Sequence, residues 1–259
     1  MTIPATWTAD MYLGRAPSGR SRALRLSCSH DSEENDGRAE FFVKAIGLPE
    51  ITEQHLFNEA VGNVLARELG IITPDVGLIE ITDDFTALLR SQARVDVPPG
   101  IGIGARSLGS SLSPPVFGRM NDEQMTQAAR IYLFDMLVQN PDRRRGNENC
   151  LVMGGSLVAI DFAECFSFLY PVFGGSADTW RVPAGIAGAH VFRGTLGRSN
   201  VEWPVLFASL NDMLDSVLSR SMSWIPERWE GWMCLVREHL TAVQAHRDDF
   251  QWEILGSVS

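Results

Sequence analysis

Lysine is almost missing from this sequence: of 22 basic residues, 21 are arginine and one, Lys44, is lysine. Cysteine is scarce and scattered. Cys28, Cys150, Cys165 and Cys234 form no Cys-x-x-Cys pair, which argues against both a zinc site and a disulfide framework. The five histidines are dispersed, with no His-Glu-x-x-His pattern, so zinc chemistry is not expected. No uninterrupted apolar run approaches the about 18 residues of a membrane span. The segment from Met1 to Arg20 lacks the apolar core of a secretory leader. Positive charge is in deficit, 22 basic against 32 acidic residues for a net −10, which makes a poor general binder of nucleic acid or anionic membrane. A cytoplasmic, reduced, soluble protein is expected, with no membrane partner and no nucleic acid.

What is present is ordinary globular material. With 45% hydrophobic and 21% charged residues over 259 positions, disorder is excluded as the dominant state, and one large domain or two small packed ones are expected. Three strands open the chain: Trp7 to Leu13, Ala23 to Cys28 with Leu24, Leu26 and Cys28 on one face, and Phe41 to Ala45. They predict an antiparallel meander, with turn chemistry over Gly14 to Gly19 and at Asp36-Gly37. The apolar stripe of Leu56, Phe57, Ala60, Val61, Val64 and Leu65 predicts a helix over Thr52 to Leu69, closed by Gly70. A strand is expected over Val76 to Ile81, with Phe85 to Arg90 as a possible partner strand. The Gly-, Pro- and Ser-rich stretch Val95 to Pro115 is the candidate hinge. Within it, Gly100-Ile-Gly-Ile-Gly104 does not fit a dinucleotide loop and is read as hinge or strand edge.

The second half begins with a helix over Asn121 to Val138, with Asn121 and Gln124 as a capping box, ended by Asn140-Pro141. A polar loop, Asp142 to Asn149, leads into two short strands, Cys150 to Met153 and Leu157 to Ile160, joined by Gly154-Gly155. The region Pro204 to Trp252 reads as helical, with Trp203, Trp224, Trp229 and Trp232 as packing anchors.

Asp142 and Asp161 frame the most informative stretch. Two carboxylates and an amide oxygen brought together by a tight hairpin suit a hard divalent cation such as Mg²⁺. Asp161 ends an apolar strand, where a charge is costly unless paired or metal-bound. Phosphoryl transfer needs these parts: a carboxylate to orient a hydroxyl, and oxygen ligands for the metal. The triplet Arg143-Arg144-Arg145 beside Asp142 is expected to steady phosphate or substrate charge. On helical pattern alone, Glu59 flanks the apolar stripe and could equally be a solvated residue.

In this order of parts the sequence resembles a HipA-like kinase, a branch of the protein-kinase-like superfamily. Gly14 to Gly19 lies between strands one and two, Lys44 on strand three and Glu59 on the next helix. Asp142 and Asn147 have the catalytic-loop offset, and Asp161-Phe162-Ala163 stands where kinases carry Asp-Phe-Gly. Asn58-Glu59, Asn140-Pro-Asp-Arg143 and Ile225-Pro-Glu-Arg-Trp229 are similar to the family's own segments.

The resemblance implies an α+β fold with two lobes: a β-rich N-lobe over about residues 1–100, a hinge over about 95–115 and a mostly helical C-lobe over about 116–259, with ATP and Mg²⁺ in the cleft. It implies that Lys44 contacts the ATP phosphates and pairs with Glu59, with Gly14, Ser18 and Gly19 covering the nucleotide. Asp142 would orient the acceptor hydroxyl, and Asp161 would hold Mg²⁺. For the second metal ligand, Asn147 satisfies the kinase offset and Asn149 directly precedes the apolar strand; Asn149 is preferred and both are kept. Lys44 gains weight here, because a compact ammonium is not interchangeable with arginine at a phosphate. The sequence departs from kinases in lacking a histidine before Asp142, in Ala163, in a glycine-poor loop and in having no Ala-Pro-Glu. The implied activity is transfer of the ATP γ-phosphate to a hydroxyl, foremost of protein Ser or Thr. The alternatives are a nucleotide-binding pseudokinase or scaffold, and a small-molecule or lipid kinase.

Overall fold

The computed structural model describes residues 4–170 and 178–259, except 18, 20, 31–36 and 110. These fall into two compact units, Thr2–Val64 with Pro74–Ser110, and Leu65–Thr73 with Ser111–Ser259.

The first unit is built on β1 (Ala5–Arg15), β2 (Leu24–Ser29), β3 (Arg38–Lys44), α1 (Glu53–Glu68) as far as Val64, β4 (Val76–Ile81), α2 (Asp83–Leu88) and β5 (Gly100–Arg106). The expected meander β1-β2-β3 is there and antiparallel. It then closes into a barrel in the order β1-β2-β3-β5-β4, sealed by parallel pairing of Ala5–Thr8 with Gly77–Glu80. The period-two pattern of β2 drives Leu24, Leu26 and Cys28 inward, where they meet Phe41, Val43, Ile79 and Ile81 in a common core.

Two expectations fail in this unit. The segment from Phe85 is helical, not a strand: Thr82 caps α2 by accepting from the Phe85 N–H at 3.2 Å, and Asp83 and Asp84 fill its first turn. Those capping signals outweigh the apolar alternation. The partner of β4 is instead β5, so Gly100 to Gly104 is neither hinge nor strand edge but part of a strand paired on both sides, while the division between the two units at 110/111 falls within the stretch Val95 to Pro115. The glycines of β5 serve close approach. A Cβ on Gly102 would lie 2.8 Å from the Lys44 carbonyl oxygen, and one on Gly104 would lie 2.7 Å from Ile79 Cγ1.

The second unit holds α3 (Asp122–Leu137), β6 (Cys150–Met153), β7 (Ser156–Ala159), α4 (Ala184–Ala189), α5 (Arg193–Leu196), α6 (Trp203–Ser219), α7 (Glu230–Ala245) and α8 (Arg247–Val258). The capping box forms as expected: Asn121 Oδ1 accepts from the Gln124 N–H at 2.8 Å and Gln124 Oε1 from the Asn121 N–H at 3.1 Å. The last turns of α3, Ile131 to Val138, are buried on every side. Gln139 takes a left-handed conformation (φ 51°), and the Asn140 N–H bonds back to the Asp135 carbonyl at 2.8 Å, closing the helix. Of the four tryptophans expected as anchors, only Trp229 is fully enclosed; Trp203, Trp224 and Trp232 are half-buried. Among the described residues no helix is long and apolar enough to cross a membrane.

Candidate active site

Lys44 ends β3, and Glu59 sits on α1 among residues that are nearly all enclosed. The Lys44 Nζ lies 2.8 Å from Glu59 Oε2, with 12% and 6% of the two side chains exposed. Glu59 is therefore no solvated flank residue. The pair is formed within the barrel unit, by a strand residue and the helix that follows it.

The expected phosphate loop is placed differently. Gly14 belongs to β1, opposite Arg25 and next to a bulge, with φ 135°. That conformation is open to glycine, which is why it can sit in an irregular strand end. The turn proper runs from Ala16, whose N–H donates to the Ala23 carbonyl at 2.8 Å, and it contains Gly19. Ser18 lies outside the described residues.

In the second unit the loop after α3 gathers Asp142, Asn147, Asn149 and, through the β6–β7 hairpin, Asp161. Asn140 starts it: its Oδ1 accepts from the Asp142 N–H at 3.1 Å. Asn149 Nδ2 donates to Asp142 Oδ2 at 3.1 Å, and Asn147 Nδ2 to the Asp142 carbonyl at 3.0 Å. Both amides thus turn their NH₂ groups on Asp142, and neither Oδ1 has a hydrogen-bond partner among the described residues. The Ile160 N–H donates to the Asn149 carbonyl at 3.0 Å, tying the loop's end to the residue before Asp161. Asn149 (φ 45°) and Asp161 (φ 59°) are both left-handed, a conformation that costs energy and persists where the surroundings impose it.

A buried network next to this loop was not singled out in the sequence. Asp135, fully buried on α3, receives three donors. Asn140 Nδ2 reaches its Oδ1 at 3.0 Å, while Arg143 Nε and His190 Nε2 reach Oδ2 at 2.6 and 2.9 Å. Burial pushes the Asp135 carboxyl up, but the Arg143 charge and the His190 hydrogen bond outweigh it and hold it below the ordinary value. Burial likewise keeps His190 below its usual value, and its Nδ1 accepts from the Phe192 N–H at 3.2 Å. The imidazole is therefore neutral, with its proton on Nε2 toward Asp135.

The arginine triplet divides. Arg143 is wholly enclosed, contrary to the expectation that it faces phosphate or substrate, because the carboxylate on α3 draws it inward. Arg144 and Arg145 stay exposed. One signal could have exposed this: Asp135 interrupts the apolar run Ile131 to Val138, and a carboxylate there requires a buried partner. Two of the thiols are spectators, since burial pushes Cys28 up to about 12 and Cys150 up to about 11.

The solved structure of a Helicobacter pylori proinflammatory kinase, CtkA, is similar with a TM-score of 0.53 at 12% identity, covering 98% of each chain, a likeness of fold. The fold is thus kinase-like and α+β. The description of the HipA-like kinase family matches residues 25–171, more than half of the chain, and the chain belongs to that family. No curated protein matches the sequence.

Proposed function

We propose that this chain is an ATP-dependent phosphotransferase, using Mg²⁺, that moves the γ-phosphate to a hydroxyl, foremost of protein Ser or Thr. The observation that carries the reading is the Asp142 carboxylate, oriented by the Asn149 amide in a loop whose end is hydrogen-bonded to the residue preceding Asp161. It stands within a family of kinases.

The residues present fit a hard cation. Among the described residues no cluster of three or more His, Cys, Asp or Glu could hold a metal. Mg²⁺ does not need one, since it is commonly held by one or two protein oxygens together with substrate phosphates. Asp161 and Asn149, with Asn147 as the alternative amide, would hold it. When bound, the metal neutralises charge on the phosphates being separated.

The chain's own contributions follow from chemistry. Asp142, held by its backbone N–H on Asn140 and its carboxylate on Asn149, accepts the hydroxyl proton of the acceptor. Lys44, a mobile point charge paired to Glu59, neutralises phosphate oxygens of ATP. Gly14 and Gly19 have open space where a side chain would stand, which suits backbone near a nucleotide. The acceptor class rests on the family resemblance alone.

The test is Mg²⁺-dependent ATP turnover, including autophosphorylation, by the purified protein beside Asp142→Asn and Lys44→Met. The parent is expected to turn over, and Asp142→Asn to lose about 10²- to 10⁴-fold in kcat while remaining folded. Nucleotide binding without transfer to any protein or metabolite acceptor would favour the pseudokinase reading. Absence of ATP binding would overturn the proposal.

A further inference from the structure

Arg143 makes contacts that the function assigned to its neighbours does not use. Its Nε is held on Asp135 at 2.6 Å, and its side chain is fully enclosed. Its Nη1 donates to the Asn149 carbonyl, with the Glu148 and Ile160 carbonyls at 3.4 and 3.5 Å, the outer limit of such a bond. Its guanidinium carbon stands 5.7 Å from the centre of the Phe162 ring, which itself meets Phe134 of α3 edge-on. One side chain therefore touches the backbone or side chain at or beside two of the three residues assigned to chemistry and adjoins the third along the chain. It is next in chain to Asp142, it binds Asn149's own carbonyl, and it contacts the residues on either side of Asp161.

The backbone of Arg143 is fixed as well: its carbonyl accepts from the Val191 N–H at 3.1 Å. Asp135, on the buried end of α3, thus anchors the fork on a regular helix, the most rigid element nearby. A planar guanidinium can hold a carboxylate with one edge and a carbonyl with another, which the point charge of an ammonium cannot do at both places at once. A buried ion pair is a poor source of net stability compared with apolar packing, so its presence asks for another role.

We propose that Arg143 is the positioning residue of this site: its buried guanidinium, seated on Asp135, holds the left-handed Asn149 against Asp142 and holds the Ile160 carbonyl, which precedes the left-handed Asp161. Asp135 acts through Arg143, and neither touches substrate. The catalytic part of this inference rests on the phosphotransferase reading, while the structural part stands without it.

The experiment compares the parent with Arg143→Lys, with the paired Asp135→Asn/Arg143→Met and with Leu210→Ala. The paired variant removes both buried charges, and so remains available if Arg143→Lys fails to fold. Leu210→Ala is a cavity in the buried face of α6, serving as a purely destabilising control. Three quantities are read: thermal stability, hydrogen exchange at the Ile160 amide, and kcat with KM for ATP. The Arg143 variants should lose about 10- to 100-fold in kcat, the cost of a small misplacement, with KM for ATP within about threefold. They should also exchange the Ile160 amide at least about tenfold faster than Leu210→Ala at matched loss of stability. Equal exchange and equal kcat in the Arg143 variants and Leu210→Ala would overturn the proposal. If the parent itself moves no phosphate, the phosphotransferase reading fails and exchange at Ile160 decides the positioning role alone: faster supports it, unchanged overturns it.

Discussion

In the barrel unit the Lys44 ammonium meets Glu59 at 2.8 Å with 12% and 6% of the side chains still exposed, whereas in the helical unit Arg143 and Asp135 are wholly enclosed at 2.6 Å. The first pair joins a flexible point charge to one carboxylate. The second belongs to a network in which one carboxylate receives Asn140, Arg143 and His190 together. The difference teaches how this sequence divides its cations. Arg143, one of 21 arginines, is wholly enclosed and fixed on a single carboxylate. The single lysine is paired to Glu59 with part of its side chain still exposed, at the position that the proposed function assigns to the ATP phosphates.

The comparison is broken most directly at Asp135. Asp135→Ala leaves Arg143 as an uncompensated buried charge and should cost about 3–5 kcal/mol in urea unfolding. A loss no greater than that at Lys44 would show the two pairs to be equivalent. Acid sharpens the same contrast. On α7, burial pushes His239 down to about 4, with its Nε2 2.7 Å from the Leu137 carbonyl. In the unfolded chain this histidine binds a proton near 6.5, so the unfolded state holds more protons between the two values. Stability contributed by neutral His239 is therefore complete above about 6.5 and falls as pH drops toward 4, by up to about 3 kcal/mol. His190, also held below its usual value, adds to the loss with the same sign. In His239→Gln, which keeps a donor for the carbonyl, the slope of urea stability against pH in this window should be shallower than in the parent.

Smaller effects are expected in the barrel. Lys44→Met should lower stability by about 1–2 kcal/mol, the cost of a partly buried carboxylate left short of a partner, while abolishing ATP turnover. A large stability loss there would make Lys44 a structural residue like Arg143. At the bottom of the scale is Arg25, bidentate on Glu40 at 2.7 and 3.0 Å on the exposed face of the barrel. Solvent screens such pairs, so Arg25→Ala should leave both the urea midpoint and ATP turnover unchanged.

What the sequence by itself determined was local and periodic. The alternation in β2, the stripe of α1 and the Asn121–Gln124 capping box are written in neighbouring residues, and the structure carries each of them. The order of Lys44, Glu59, Asp142 and Asp161 pointed to a kinase family in the same way, since ordered motifs survive without knowledge of packing. What only the tertiary structure decided was which distant segments meet. Glycines that read as a hinge became the strand β5, because close approach to Lys44 and Ile79 admits no side chain. β4 took its partner from that stretch, not from the segment at Phe85, whose helix is capped locally by Thr82. Arg143 left the surface because a carboxylate eight residues earlier, on the buried end of α3, needed a counter-charge more than solvent could offer one. Pairing and burial are settled by free energies summed over residues far apart in the chain, and no local window of sequence contains that sum.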